Sequence, residues 1–297
     1  MFERALVGPS DAHARQLIGH FLRALIAPAV FNPLSAKLAE RAGFEVLYLG
    51  GGTLGYLNCC LEANLNITQV CQAGMDIRAV TNLPLILDGA AGFGDPMHIH
   101  HTIGMSEAAG FAAIEIEDQI LPKRAHHHVG REHMVPLELM AAKVREAVKA
   151  RRDPDFVIIA RTNGIRGPGG MADAIARARA YREAGADMLY LSVRNEGEAR
   201  EVAKLLPPPF MFGLGGHGDK GVGLTLDELG ALGYRILASS ISAWAFHRAM
   251  KQSYECLAKG VADPLMVGIT HKEEQHALHD SINMERMLAV ERATVEK

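Results

Sequence analysis

The sequence predicts an α/β chain folded as one (β/α)8 TIM-type barrel, and three observations predict it. Eight short apolar runs alternate with longer amphipathic segments. The runs are apolar throughout rather than at every second residue, as strands buried on both faces are. The links are mostly short, and no stretch rich in Pro, Gly or Ser splits the chain. Its 297 residues suit a single barrel domain over 1–297, with about 240–297 as a C-terminal helical extension.

Taken in order, a helix is expected over 12–25 and a buried strand over 26–31. Pro33 then opens the helix PLSAKLAERAG, which Gly43 stops. Strand two is read at 46–49. Strand three at 83–87 leads to a helix at 97–109, and strand four at 112–116 to a helix at 137–150. The remaining pairs are 156–160 with 171–184, 188–193 with 197–206, 210–214 with 225–232, and 234–238 with 244–259.

Composition narrows the function. Apolar residues form 48% of the chain and charged residues 22%, enough for a large core and a polar surface. A formal charge of -3 without any dense Lys/Arg tract argues against nucleic acid or an anionic membrane as partner, and for a small molecule. Cys59, Cys60, Cys71 and Cys256 have neither zinc-site spacing nor a disulfide pattern. With no run of about 18 apolar residues and no basic leader before an apolar stretch, a cytoplasmic protein is expected.

A barrel's reacting groups sit where strands end and βα loops begin. Strand two ends in Gly50-Gly51-Gly52-Thr53, strand three in Asp88 and then GAAGFG, strand four in Glu115-Ile116-Glu117-Asp118, and strand five in Arg161-Thr162-Asn163. Asp88 and Glu117 end neighbouring strands, so both can aim oxygens at one Mg²⁺ or Mn²⁺, which takes few protein carboxylates. The alternative is that one of them caps the next helix or pairs with Lys123 or Arg161. Glu115 and Glu117 share one strand face. Arg161 suits a carboxylate clamp across the mouth, or an ion pair closing the barrel top. Gly50 to Gly52 allow close backbone approach to a ligand, and Gly92 and Gly94 a tight turn. The loop from Pro122 to His133 reads PKRAHHHVGREH, dense in anion-binding and proton-transferring groups, and suits a lid or a solvated charged loop. His98, His100 and His101 belong to a helix face.

LILDGAAGFG, IEIEDQILPKRAHHHVG, IIARTNG and AIARARAYREAGAD occur in that order. On these segments the chain resembles the isocitrate lyase and phosphoenolpyruvate mutase superfamily over roughly 22–259. The resemblance implies a small carboxylate substrate with a neighbouring oxo or hydroxy oxygen, Mg²⁺ (or Mn²⁺), and cleavage through an enolate-like state. It carries Asp88 and Glu117 over as metal partners, Arg161 as carboxylate clamp, Gly51 and Gly52 as backbone donors, and Lys123 and His127 as lid residues. Asn163 joins the substrate-binding set with Gly50. A homo-oligomer, a dimer of dimers whose last helix is exchanged between subunits, is likewise implied, with the segment after Ser240 in that role.

This chain also departs from that pattern. The lid cysteine of the superfamily's lyases is Ala125, the second aspartate of the metal loop is Ala90, an aspartate usual after strand two falls at Asn64, and a glutamate after strand six is Ser192. Fewer carboxylates and clamps point to a substrate with fewer carboxylates than isocitrate or methylisocitrate. The favoured expectation is a lyase of a substituted 2-hydroxy acid of the malate type, with His126 or His127 replacing the cysteine as acid. The alternatives are an oxo-acid decarboxylase, a hydrolase of the phosphonopyruvate type, and a non-catalytic carboxylate binder.

Overall fold

The computed structural model describes residues 23–214 and 221–296. Eight parallel strands form one sheet: β1 (Leu25–Pro28), β2 (Leu47–Leu49), β3 (Leu85–Asp88), β4 (Ala113–Glu117), β5 (Val157–Thr162), β6 (Met188–Leu191), β7 (Phe210–Gly213) and β8 (Tyr234–Ser239). Their spatial order runs β1-β8-β7-β6-β5-β4-β3-β2. A bridge between Ala29 and Tyr48, with Val30 N donating to Tyr48 O at 2.8 Å, draws β1 and β2 together and completes the barrel. The strands are largely apolar on both faces, because the inner side fills the barrel and the outer side packs under helices; Glu115, Glu117 and Arg161 on β4 and β5 are exceptions.

Helices alternate with these strands: α1 (Pro33–Arg41), α2 (Gly51–Leu57), α3 (Ile67–Arg78), α4 (Pro96–Ala108), α5 (Leu137–Ala150), α6 (Gly170–Glu183), α7 (Glu196–Leu205), α8 (Leu226–Ala231) and α9 (Ile241–Lys259). Local sequence sets where they start. Asn32 with Ser35, and Asn66 with Gln69, form reciprocal capping pairs at α1 and α3, and Thr225 with Glu228 does so at α8. A C-terminal hairpin, α10 (His271–Ser281) and α11 (Met284–Thr294), turns back onto α1, where Asp280 pairs with Arg41.

Three sequence expectations are revised. Residues 12–22 of the expected first helix lie outside the described residues, while Leu25, its expected last residue, begins β1. That strand ends at Pro28, because Asn32 and Pro33 already commit the chain to α1. Gly50 to Gly52 are not a loop: Gly50 is the N-cap of α2, and Gly51 and Gly52 its first turn. A glycine-rich segment carries a weak helical signal, since glycine is disfavoured in helices by about 1 kcal/mol.

Candidate active site

Register places the polar strand ends side by side. Asp88 pairs with Glu115 across β3 and β4, Glu117 with Arg161 across β4 and β5, and Arg161 with Tyr190 across β5 and β6. Asp88, Glu115 and Glu117 are all buried, the two glutamates to 1% exposure. Glu115 Oε1 accepts from Arg161 Nη1 at 2.8 Å, and its Oε2 accepts from Tyr48 OH at 2.9 Å. Arg161 Nε lies 3.4 Å from Glu117 Oε2, and the guanidinium stacks 4.6 Å over the Tyr190 ring.

Asp88 is held by backbone. Its Oδ2 accepts from Gly51 N at 2.9 Å, and its Oδ1 from Ala90 N at 3.0 Å. A Cβ on Gly51 would stand 3.3 Å from Asp88 Oδ2, so glycine permits this close approach. The Gly51 amide, expected to face substrate, is thereby committed to Asp88. Gly50 and Gly52 line a cavity of about 180 Å³ at the mouth, together with Tyr48, Asp88, Arg161 and Tyr190.

Asn163 is fully buried and turned to the acids rather than the cavity. Its Nδ2 donates to Glu117 Oε2 at 2.8 Å, and its Oδ1 accepts from Arg161 Nε at 3.3 Å. Asp118 anchors it from behind, accepting from Asn163 N, Thr162 Oγ1 and Tyr181 OH at 3.1, 2.7 and 2.9 Å.

Lys123 reaches down from the lid. Its buried ammonium contacts both Glu117 and Glu62. Glu62 sits in a 3-10 turn after α2, brought close because Gly55 has no side chain; a Cβ there would lie 2.7 Å from Glu62 N. Where the superfamily's aspartate falls at Asn64, the side chain accepts from Leu61 N instead, and the acid that reaches Lys123 from this turn is Glu62.

The lid itself is a 3-10 turn, Ala125–Val129, and its histidines separate. His127 is drawn inward, with Nδ1 2.9 Å from Glu132 Oε2. His126 is exposed and stacks on His133 at 5.7 Å, and His128 meets Tyr56 OH at 3.0 Å. Among the helix-face histidines, His100 pairs with Glu146 and His98 accepts from Asp95 N. Neither approaches the mouth through these contacts.

Charge balance decides what the cluster lacks. Among the described residues, Glu62, Asp88, Glu115 and Glu117 face only Lys123 and Arg161, two negative charges in excess when all are ionised. Burial pushes the Glu115 and Glu117 carboxyls up to about 7, against the pull of Arg161 and with the added push of Asp88. Burial, helped by Arg161, draws the Lys123 ammonium down to about 6. Glu62 Oε1 and Glu117 Oε1 are buried and answered only by that ammonium. No group of three or more His, Cys, Asp or Glu among the described residues forms a metal cage. Two buried carboxylate oxygens that share one ammonium, and two surplus negative charges, fit a divalent cation that keeps most of its waters.

Sequence reasoning missed Tyr48, Glu62, Tyr190 and Glu132. Glu115 was noticed for its strand face but given no role. The signal for Tyr48 and Glu115 was present, a polar group inside an otherwise apolar strand.

A barrel with its charged side chains gathered at the C-terminal strand ends has an enzyme's arrangement. The chain belongs to the phosphoenolpyruvate phosphomutase family, which it matches over residues 17–258. It is 36% identical to 2-methylisocitrate lyase of Aeropyrum pernix over 231 residues, 77% of this chain and 73% of that one. It is 31% identical to 2,3-dimethylmalate lyase of Eubacterium barkeri over 276 residues, 90% and 92% of the two chains. Phosphonopyruvate hydrolase, solved with oxalate and Mg²⁺, superposes with a TM-score of 0.81 at 27% identity, covering 96% of this chain and 99% of that one. Among the described residues, no helix is long and apolar enough to cross a membrane.

Proposed function

We propose that this protein is a cytosolic, divalent-metal-dependent lyase that breaks a carbon–carbon bond of a small substituted 2-hydroxy carboxylate of the malate type. The observation that carries the reading is the buried acid cluster, short of positive charge, beside one guanidinium in a small cavity. Asp88 and Glu117 hold Mg²⁺ or Mn²⁺, directly or through water, with Glu62 and Glu115 behind them. The bound cation supplies positive charge to the oxygen on which negative charge develops as the bond breaks.

The chain's own residues do the rest. Arg161 clamps the substrate carboxylate, its plane fixed by Glu115 below and Tyr190 beneath the guanidinium. Gly50 and Gly52 let the substrate lie against the backbone of the first turn of α2. Asn163 positions Glu117 and Arg161 rather than touching substrate. Lys123 and His127 come from the lid, which excludes water and carries the proton chemistry. A cavity of about 180 Å³ lined by one arginine suits two carboxylates better than three. The sequence relatives that cleave methylisocitrate and dimethylmalate support the reaction class.

Ala125 favours a second reading. Without an acid at that lid position, a hydrolase or decarboxylase that only needs an electron sink fits too, in keeping with the likeness to phosphonopyruvate hydrolase.

Calorimetric titration of the metal-free protein with Mg²⁺, alone and with oxalate, tests the site. Oxalate is expected to bind only with metal, and Asp88→Ala to abolish that binding while circular dichroism stays native. No oxalate binding by the wild type under either condition moves the protein to a non-catalytic barrel.

The assembly is proposed as a dimer of dimers with the segment after Ser240 exchanged. Within α9 only Ala243 is buried, while Trp244, Phe246, Tyr254 and Leu257 are exposed. An amphipathic helix left this bare needs another surface. Sedimentation equilibrium is expected to give a tetramer; a monomer at micromolar concentration rejects the exchange.

A further inference from the structure

Ala125 supplies no acid, which leaves the route of a proton into the site to other residues. Glu132, beyond the lid turn, has a side chain 0% exposed. Its Oε2 accepts from Gln119 Nε2 at 2.6 Å and lies 2.9 Å from His127 Nδ1. Arg166, on the turn after β5, stands 3.8 Å from its Oε1. Burial alone would push the Glu132 carboxyl up, but the His127 hydrogen bond and the charges of His127, Arg166 and Arg161 hold it below its ordinary value. Glu132 therefore stands ionised beside the ring.

Gln119 Nε2 touches both His127 Nδ1 and Glu132 Oε2; with its N–H given to the carboxylate, which when ionised only accepts hydrogen bonds, the ring offers Glu132 a proton from Nδ1. That leaves Nε2 as the nitrogen available for chemistry. Gln119, two residues beyond Glu117, touches His127 Nδ1 and ties the ring to the end of β4. His126 has no comparable acid among the described residues: it is exposed and stacked on His133.

We propose that Glu132 is a positioning residue that locks His127 as the proton donor of the site, in place of the cysteine absent at Ala125. The inference rests on the lyase reading. As the carbon–carbon bond breaks, the substrate hydroxyl gives up its proton to water and the bonding pair stays on the carbon of the departing acid. The Nε2–H bond of His127 then breaks and a C–H bond forms at that carbon. The ring is left neutral with Nδ1–H still on Glu132, and it regains a proton through solvent. The hydroxyl proton lost equals the proton delivered, so the step needs no oxidant or other reactant.

Nitrogen-15 NMR of the imidazole rings in the full-length, metal-free chain tests this, with His127→Asn identifying the resonances. In the neutral ring the Nδ1–H tautomer is expected to predominate in the wild type. Glu132→Ala is expected to convert it mainly to the Nε2–H form that histidine favours in water, and Glu132→Asp to restore part of the Nδ1–H signal. A purely structural Glu132 would not move the tautomer. A wild-type ring found as Nε2–H, or one unchanged in Glu132→Ala, overturns the inference. The wild-type spectrum alone decides the matter if the alanine variant does not fold. Release of a carbon–carbon cleavage product from a malate-type acid by the wild type decides the underlying lyase reading separately.

Discussion

The mouth of the barrel and the lid above it are built on opposite terms. At the mouth, Glu115, Glu117, Arg161 and Asn163 are locked to one another and to strands in register, with both partners of each contact buried or nearly so. On the lid, Arg124, Ala125, His126 and His128 face solvent, and inward contact passes through Lys123 and the pair of His127 with Glu132. The mouth holds charges in place at a cost in desolvation; on the proposed reading the lid delivers a proton donor without burying the whole loop. Substitutions at the mouth should therefore damage both folding and binding. Those on the lid should damage turnover and spare the barrel.

The largest effect beyond loss of Asp88 is expected at Arg161. Arg161→Lys keeps the charge but loses the planar fork, so Glu115 and the substrate carboxylate are no longer gripped together. Leaving a buried carboxylate short of its partner costs about 1–3 kcal/mol, visible as a lower melting temperature. Metal-dependent oxalate affinity should fall at least about tenfold, or about 1.4 kcal/mol. A variant with native stability and native oxalate affinity would mean that Arg161 merely closes the barrel top.

Lid substitutions come next and sharpen the contrast. On a 2-hydroxy acid that the wild type turns over, His127→Ala should lower kcat about 100-fold, the lower end of general acid catalysis, with a smaller drop in melting temperature than Arg161→Lys, because Glu132 keeps Gln119 as a partner. His126→Ala, at an exposed ring, should change kcat less than about twofold on the same reasoning. The reverse ranking would hand the acid role to His126 and break the division between the inward and outward faces of the lid.

The same division explains what was legible in the sequence. Apolar runs gave the strands because a parallel barrel buries both strand faces, and Asp88, Glu117 and Arg161 stood out as charges at their ends. Tyr48 and Glu115 lie within the runs and contact Arg161 or each other only after closure, so no local pattern ties them together. Glu62 depends on the approach of a turn over Gly55, and Glu132 on the packing of a lid against β4. The helical start at Gly51 was hidden by its glycines. Where position follows from strand periodicity the sequence is readable; where it follows from two irregular segments meeting, it is not.

The most graded effect concerns protonation at the mouth. Glu117, with its ordinary value of 4.5, is held up to about 7 in the folded chain, by burial first and by Asp88 against the pull of Arg161. Between those values the folded protein keeps a proton that the unfolded chain has released, so stability is present at low pH and is lost as pH rises toward 7. Glu117→Gln removes that proton exchange and keeps the shape. The stability of the wild type relative to Glu117→Gln should therefore fall between about pH 4.5 and 7, by at most about 1.4 kcal/mol per pH unit. Chemical denaturation of both proteins across this window measures it. A flat difference would mean that Lys123 already keeps Glu117 ionised in the absence of metal, and the mouth would then be a settled ion pair. A falling difference that Mg²⁺ abolishes would show the acid cluster waiting for a cation, because a divalent ion favours the ionised carboxylate and removes the folded state's hold on the proton.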